Sequence, residues 1–320
     1  MQMSPEKSEE EAKDMEPIIV MYLGAGRGPL IPRTLSAAKK AKVPVKIIAV
    51  EKNPNAVITL RNMIADQNLG SQVTLFNGDM RHLEMEKKGD IIISELLGSF
   101  GDNELSPECL YPTEKFLKPE GIYLPYDYTS FLVPLSSQIL WNEVFLYSSQ
   151  GASARIPLSQ QLNAFELPYV VRIHSASFPC GKSPKPVFTF EHFGQNNKPA
   201  HPKVDLKVFK KVSFVVQHEV SEFHGFAGYF DAHIYQEVFY STNTDTHTPG
   251  MHSWFPLYFP IKHPVTAYKG QEVRISMWRC VSTSKVWYEW SFEVYDPVTK
   301  REVYTSYIHN VDGKGHAIGL

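Results

Sequence analysis

From Ile18 to Ser94 the chain alternates short apolar runs with helix-forming stretches, and no other feature limits the fold as much. Ile18-Ile19-Val20-Met21-Tyr22-Leu23 reads as a buried strand. Gly24-Ala25-Gly26-Arg27-Gly28 follows as a tight turn, and a helix rich in Ala and Lys runs from it to about Ala41. Val45 to Val50 is a second strand ending at Glu51. Pro54, a favoured first-turn residue, opens a helix that runs to about Asn68. Val73–Phe76 is a third strand, followed by Gly78-Asp79-Met80, and Asp90–Ser94 is a fourth. Strands alternating with helices at this spacing predict a parallel sheet covered on both faces.

After about Tyr126 the texture changes. Aromatic and β-branched runs recur between Pro, Gly and Asn clusters: Tyr169–Ile173, Val187–Phe190, Val212–Val216, Phe226–Tyr235, Val273–Trp278 and Val286–Val294. Several alternate with period two, which predicts an antiparallel sandwich or barrel. Trp278, Trp287 and Trp290 fall inside these runs and read as core. Residues 148–165 and 191–203 are polar and read as long loops or an arm. The expected fold is therefore α/β: a Rossmann-like cofactor-binding domain over 17–125, then a β-barrel or sandwich substrate domain over 126–320. Residues 1–16 read as an acidic leader, expected to be disordered or truncated.

Composition narrows the class. A 43% apolar fraction in 320 residues fits a globular protein with a real core, and a net charge of −2 carries no global signal for nucleic acid. No apolar run approaches the length of a membrane span, and the amino terminus lacks the apolar stretch of a signal peptide. Cys109, Cys180 and Cys280 are odd in number and far apart, which fits a reducing compartment rather than a disulfide framework. The histidines show no ligand spacing, so no metal site is expected.

A parallel sheet binds its ligand outside the carboxyl ends of its strands, where the strand order reverses. Gly24, Gly26 and Gly28 let backbone approach a ligand at the start of the first helix. Glu51, 27 residues after Gly24, is placed to accept both hydroxyls of a ribose. Asp79 is placed to receive an adenine amino group, with Met80 against the ring. Together these point to an adenosine-containing cofactor. The dinucleotide fingerprint counted from Gly24 wants a third glycine where this chain has Pro29, which favours S-adenosylmethionine over NAD.

Two glutamates nine residues apart carry the chemistry. The run Ile91-Ile92-Ile93 puts Glu95 at the end of the fourth strand. Gly98 and Gly101 then let the chain turn back and bring Glu104 beside it. Two carboxylates facing one cavity suit a fixed cation, and the planar guanidinium is the best geometric match. The plainer alternative is that both are solvated loop residues, and Trp254 alone reads as core or interface.

Four runs, Gly24–Leu30, Val50–Ala56, Ser94–Leu110 and Pro249–Pro256, resemble the protein arginine N-methyltransferase 5 family, the symmetric-dimethylating branch of the arginine methyltransferases. The likeness extends from about Ile18 to Ile318-Gly319-Leu320. It implies S-adenosylmethionine-dependent methylation of protein arginines, with histone tails and Gly-Arg-rich splicing and RNA-binding proteins as substrates, in cytoplasm and nucleus. The family's guanidinium-holding acids map onto Glu95 and Glu104, its ribose acid onto Glu51, and its adenine pair onto Asp79 and Met80. Its tryptophan and phenylalanine along the substrate peptide map onto Trp254 and Phe255. The resemblance also implies a homo-oligomer. The family's amino-terminal barrel, which docks a WD-repeat partner, and its cofactor lid have no match in this sequence. Two expectations therefore stand beside a competent methyltransferase: an impaired catalytic fragment, and a scaffold subunit that assembles with a full-length copy. Methylation of a small molecule or RNA on the same fold is a further alternative, which the lack of a basic, aromatic-interleaved stretch disfavours.

Overall fold

The computed structural model describes residues 15–150, 164–192 and 205–320. The expected leader falls almost wholly outside them, as do most of the two expected loops. Within the described parts, residues 148–150 belong to a helix and Ala164–Glu166 forms a 3-10 turn.

The first half is built as β1 (Ile18–Leu23), α1 (Ile31–Ala41), β2 (Val45–Glu51), α2 (Pro54–Asp66), β3 (Val73–Asn77), β4 (Gly89–Ser94), α3 (Ser106–Leu110) and β5 (Leu117–Leu124). The five strands are parallel in the order β3-β2-β1-β4-β5. Successive β1 residues alternate between two cores. Val20 and Tyr22 join Ile47, Ala49 and Leu60 on one face, while Met21 and Leu23 join Ile48, Val50 and Ile92 on the other. Burial of both faces is why the run is apolar without a break. The first face is covered by α1 and α2, the second by α3 and the 3-10 turns Met80–His82 and Tyr111–Phe116. α2 starts where expected, because Asn53 Oδ1 accepts from the Asn55 N–H at 3.0 Å and Pro54 needs no donor partner. β5 was not expected: Pro119 and Gly121 give it the look of a turn, yet its outer residues still pair with β4.

The second half holds β6 (Asp127–Leu135), α4 (Gln138–Gln150), β7 (Tyr169–Val170), β8 (Lys185–Glu191), β9 (Val208–Val215), β10 (Val220–Tyr235), β11 (Val238–Ser241), β12 (Leu257–Tyr268), β13 (Glu272–Val281), β14 (Lys285–Asp296), β15 (Arg301–Thr305) and β16 (Ile318–Gly319). One sheet runs β7-β12-β10-β6-β8 with β11 beside β10, and the other runs β15-β14-β13-β9 with β16 beside β14. Both contribute to one core around Phe100, Phe226, Phe259, Tyr288 and Trp290. No ladder joins the two sheets among the described strands, so the expected barrel-or-sandwich half is two facing sheets rather than a closed barrel.

Three expectations need correction. The half read as all-strand contains α4. Of the run Tyr169–Ile173, only Tyr169 and Val170 pair as strand. Of the three tryptophans, Trp290 is fully buried, but Trp278 and Trp287 are only partly covered. Strand parity explains this: Trp290 shares the inward face of β14 with Val286, Tyr288 and Phe292. Trp278 instead packs on Phe209 of β9, and Trp287 donates to Glu289 Oε1 at 2.8 Å.

Candidate active site

The order β3-β2-β1-β4-β5 reverses direction between β1 and β4, which fixes the crevice of the parallel sheet. Gly24 follows β1 and Glu95 follows β4, so the turn and the first glutamate flank that crevice. Gly24 and Gly26 have φ of 76° and 55°, in the region that only glycine enters cheaply. A side chain at Gly24 would press on Leu96, while nothing lies within 4 Å of where one would stand at Gly26. The backbone there borders open space.

Glu51 is buried at the end of β2. Its Oε2 accepts from the Gly26 N–H and its Oε1 from the Asn53 N–H, each at 2.7 Å. No cation pairs with it among the described residues. Each oxygen keeps a further lone pair, which is what a ribose with two adjacent hydroxyls requires. Asp79 caps the turn after β3 and is gripped by Arg81, with Nε at 3.0 Å from Oδ1 and Nη2 at 2.7 Å from Oδ2. Those hydrogen bonds hold its carboxyl well below the usual range. Met80 packs into the core under the sheet, its Cε 3.5 Å from the position a Gly24 Cβ would take. Glu51, Gly24, Gly26 and Met80 thus converge on one crevice, with Asp79 at its rim.

Ser94 ends β4 by donating to the Leu23 carbonyl at 2.8 Å, which fixes where Glu95 emerges. Gly98 and Gly101 bond each other in both directions, at 3.1 and 2.9 Å, and close the hairpin predicted from their spacing. The return limb brings Glu104 close enough for the Glu95 charge to act on it. Loss of water raises the carboxyl pKa of Glu95; loss of water, then the charge of Glu95, raises that of Glu104. Both side chains still reach solvent. The pair is therefore two carboxylates near each other at an opening, with no cation paired to either among the described residues, an arrangement that favours an incoming cation.

Trp254, with φ of 58°, donates its indole N–H to the Leu97 carbonyl at 2.8 Å and so sits on the glutamate hairpin. Tyr240 stacks on it with centroids 5.2 Å apart and planes 5° apart. Burial and then the Glu95 charge raise the Tyr240 pKa, which places Tyr240 beside the first glutamate. Phe255 is exposed, with the Arg172 guanidinium 4.7 Å from its ring centre.

Sequence reasoning did not reach the residues that hold the return limb. Phe100 is fully buried among Phe188, Phe259 and Tyr288. Asp102 receives Arg279 Nε at 2.5 Å, Tyr288 Oη at 2.7 Å and Ser130 Oγ at 3.1 Å. Glu108 receives Arg279 Nη2 at 2.9 Å, with Nη1 2.8 Å from its other oxygen. One signal was available: Val273, Ile275, Met277 and Arg279 share the inward face of β13, so a period-two reading puts an arginine in the core. Among the described residues no three His, Cys, Asp or Glu side chains group as a metal ion would need.

A parallel sheet followed by an antiparallel half is the fold shared with two solved protein arginine methyltransferases. The Trypanosoma brucei PRMT1 enzyme-prozyme complex with AdoHcy matches it with a TM-score of 0.66 at 16% identity, over 93% of this chain and 90% of that one. Arabidopsis thaliana protein arginine methyltransferase 10 matches with 0.68 at 15%, over 92% and 89%.

Sequence narrows the class. Residues 2–124 match the family model for the PRMT5 arginine-N-methyltransferase, and residues 127–318 that for the PRMT5 oligomerisation domain. Protein arginine N-methyltransferase 5 of Xenopus laevis is 46% identical over 97% of this chain, and skb1 of Schizosaccharomyces pombe is 35% identical over 94%. The chain belongs to the protein arginine N-methyltransferase 5 family. It spans 45% of the Xenopus protein and 48% of the yeast one.

Proposed function

We propose that this chain transfers a methyl group from S-adenosylmethionine to a guanidinium nitrogen of protein arginine. The observation that carries this reading is the meeting of Glu95 and Glu104, uncompensated, at the switch point beside the open glycine strip. The cofactor supplies an activated methyl on a sulfonium. The residues present fit it: Glu51 offers two oriented acceptors to the ribose, Gly24 and Gly26 admit it to the backbone, and Asp79 and Met80 meet the adenine.

Arginine alone is a poor nucleophile, because its charge is delocalised and its pKa exceeds about 12. Glu95 and Glu104 hold the guanidinium by charge-assisted bonds worth about 1.5–3 kcal/mol each. They draw positive charge toward the nitrogens they bind and leave more electron density on the one that attacks. Alignment for in-line displacement supplies effective molarities of about 10⁵–10⁸ M. After transfer one glutamate accepts the released proton, a task suited to a carboxylate whose pKa is already raised. Trp254, bonded to the hairpin, and the adjoining exposed Phe255 are the residues proposed to line the path of the substrate peptide.

The finer expectations belong to the same proposal: a symmetric dimethylarginine product of a type II enzyme, Gly-Arg-rich proteins and histone tails as substrates, and action in cytoplasm and nucleus in histone modification and chromatin regulation. A homo-oligomeric state is supported by the description of the family model over 127–318. A WD-repeat partner is proposed for family members that carry the amino-terminal barrel. The test is transfer of labelled methyl from S-adenosylmethionine to a Gly-Arg-repeat peptide, with Glu95→Gln as control. Label in arginine that vanishes in the control supports the reading. Label that persists in Glu95→Gln overturns the clamp, and absence of label with the wild-type chain favours the subunit role.

A further inference from the structure

We infer that Arg279, 171 residues beyond the nearer of its two acidic partners, is a positioning residue that sets where Glu104 stands. The inference rests on the arginine-methylation reading for its kinetic consequence but not for its structural one.

Glu95 and Glu104 are hung from different halves of the molecule. Glu95 leaves β4 of the parallel sheet, with Ser94 tied to β1. Glu104 lies between two residues anchored in the antiparallel half, Asp102 two places before it and Glu108 four places after it. No hydrogen bond among the described residues holds the Glu104 carboxylate, so its backbone sets the space it can reach. That backbone is pinned on both sides by one guanidinium. Arg279 Nε meets Asp102 while Nη1 and Nη2 meet Glu108, and Nη1 also donates to the Leu206 carbonyl at 3.0 Å. The Arg279 side chain and that of Asp102 are fully buried and that of Glu108 nearly so.

A buried ion cluster is a weak device for stability, since desolvating its charges offsets most of the attraction. What a guanidinium supplies is direction: its planar fork addresses two carboxylates along fixed lines, which an ammonium does not reproduce. Here those lines run from β13 to either side of the second glutamate. Tyr288 completes the arrangement by donating to the Asp102 oxygen that Arg279 Nε also meets. Leu105, with φ of 65°, sits between the two anchors, so the loop turns sharply where Glu104 is presented. The separation of the two glutamates, and with it the aim of the bound guanidinium, is thus set in part from β13 of the antiparallel half.

Arg279→Lys keeps the charge and removes the fork; Tyr288→Phe keeps shape and removes one donor. For Arg279→Lys the expected result is a fall in kcat of about 10²-fold, with cofactor Kd within about twofold and peptide KM changed less than kcat. Tyr288→Phe should show the same pattern with a smaller fall. Amide hydrogen exchange supplies a readout independent of turnover. Residues 98–105 should exchange faster in both variants while β1 and β4 keep their protection. If Arg279→Lys does not fold, Tyr288→Phe decides the question. Folded variants with wild-type kcat and unchanged hairpin exchange would overturn the inference. So would loss of protection spread evenly over both halves, which marks a merely structural role. A wild-type chain that transfers no methyl defeats the proposed function alone, because the exchange pattern still reports on Arg279.

Discussion

The two limbs of the glutamate hairpin are held by opposite means. On the parallel-sheet side two of the site carboxylates meet backbone N–H groups close by in space: Glu51 binds Gly26 and Asn53, and Glu95 meets Leu97 N–H at 3.3 Å. This arrangement leaves lone pairs free for a ligand. On the antiparallel side almost none are left, since Asp102 already receives three donors. One limb is therefore built to bind and the other to stay in place, and substitutions should sort accordingly.

The largest expected effect is on turnover. Glu95→Gln should lower kcat about 10²–10⁴-fold in the peptide assay while cofactor affinity by calorimetry stays near wild type. Comparable loss of both would mean that Glu95 organises the crevice rather than the substrate. Next, Asp102→Ala leaves Arg279 Nε and Tyr288 Oη without their acceptor while Glu108 still pairs the guanidinium, and should cost about 2–4 kcal/mol in denaturant unfolding. A cost under about 1 kcal/mol would place the cluster in contact with water and dissolve the contrast between the limbs. Glu51→Gln is the counterpart on the binding side. It should weaken S-adenosylmethionine by about 1.5–3 kcal/mol and also lower the unfolding midpoint, because the amide NH2 cannot accept from whichever of the Gly26 and Asn53 N–H groups it then faces. Smaller again is Trp254→Phe, which removes the bond to the Leu97 carbonyl and should cost about 1 kcal/mol in kcat/KM for the peptide.

The same contrast decides what the sequence reveals. β1 to β4 and the crevice residues Glu51, Asp79 and Glu95 are visible because strand ends, glycine turns and caps are local signals, spelled out within a few residues. Gly98 and Gly101 announce the hairpin in the same way. β5 and β12 are hidden by Pro119, Pro260 and Pro264, which argue against strands unless the pairing partner is known. α4 is hidden because its apolar residues, among them Ile139, Val144, Phe145 and Leu146, form no single stripe. The Asp102–Arg279 cluster is hidden for another reason. Asp102 beside Asn103 in a loop looks solvated, and only the inward parity of Arg279 on β13 hints at a buried partner. Nothing in a single sequence says which acid that partner is.

The smallest effect separates the limbs by sign. Burial raises the pKa of Glu95 above its ordinary value, so the folded state binds the Glu95 proton more tightly than the unfolded chain does. Stability from this group is fully present below the unfolded pKa, near about 4.3, and is lost as pH rises through the folded value. At neutral pH the ionised carboxylate therefore works against folding. Glu95→Gln removes that burden, so it should raise the unfolding temperature slightly at pH 7, and the gain should shrink toward zero as pH falls below about 4. Glu104→Gln should behave alike, because burial and the Glu95 charge push its pKa the same way. Asp102→Ala should lower the unfolding temperature at the same neutral pH. A thermal scan across pH that found Glu95→Gln destabilising at neutrality would show the glutamate to be held by favourable contacts, and the substrate-facing limb would then be no less structural than the other.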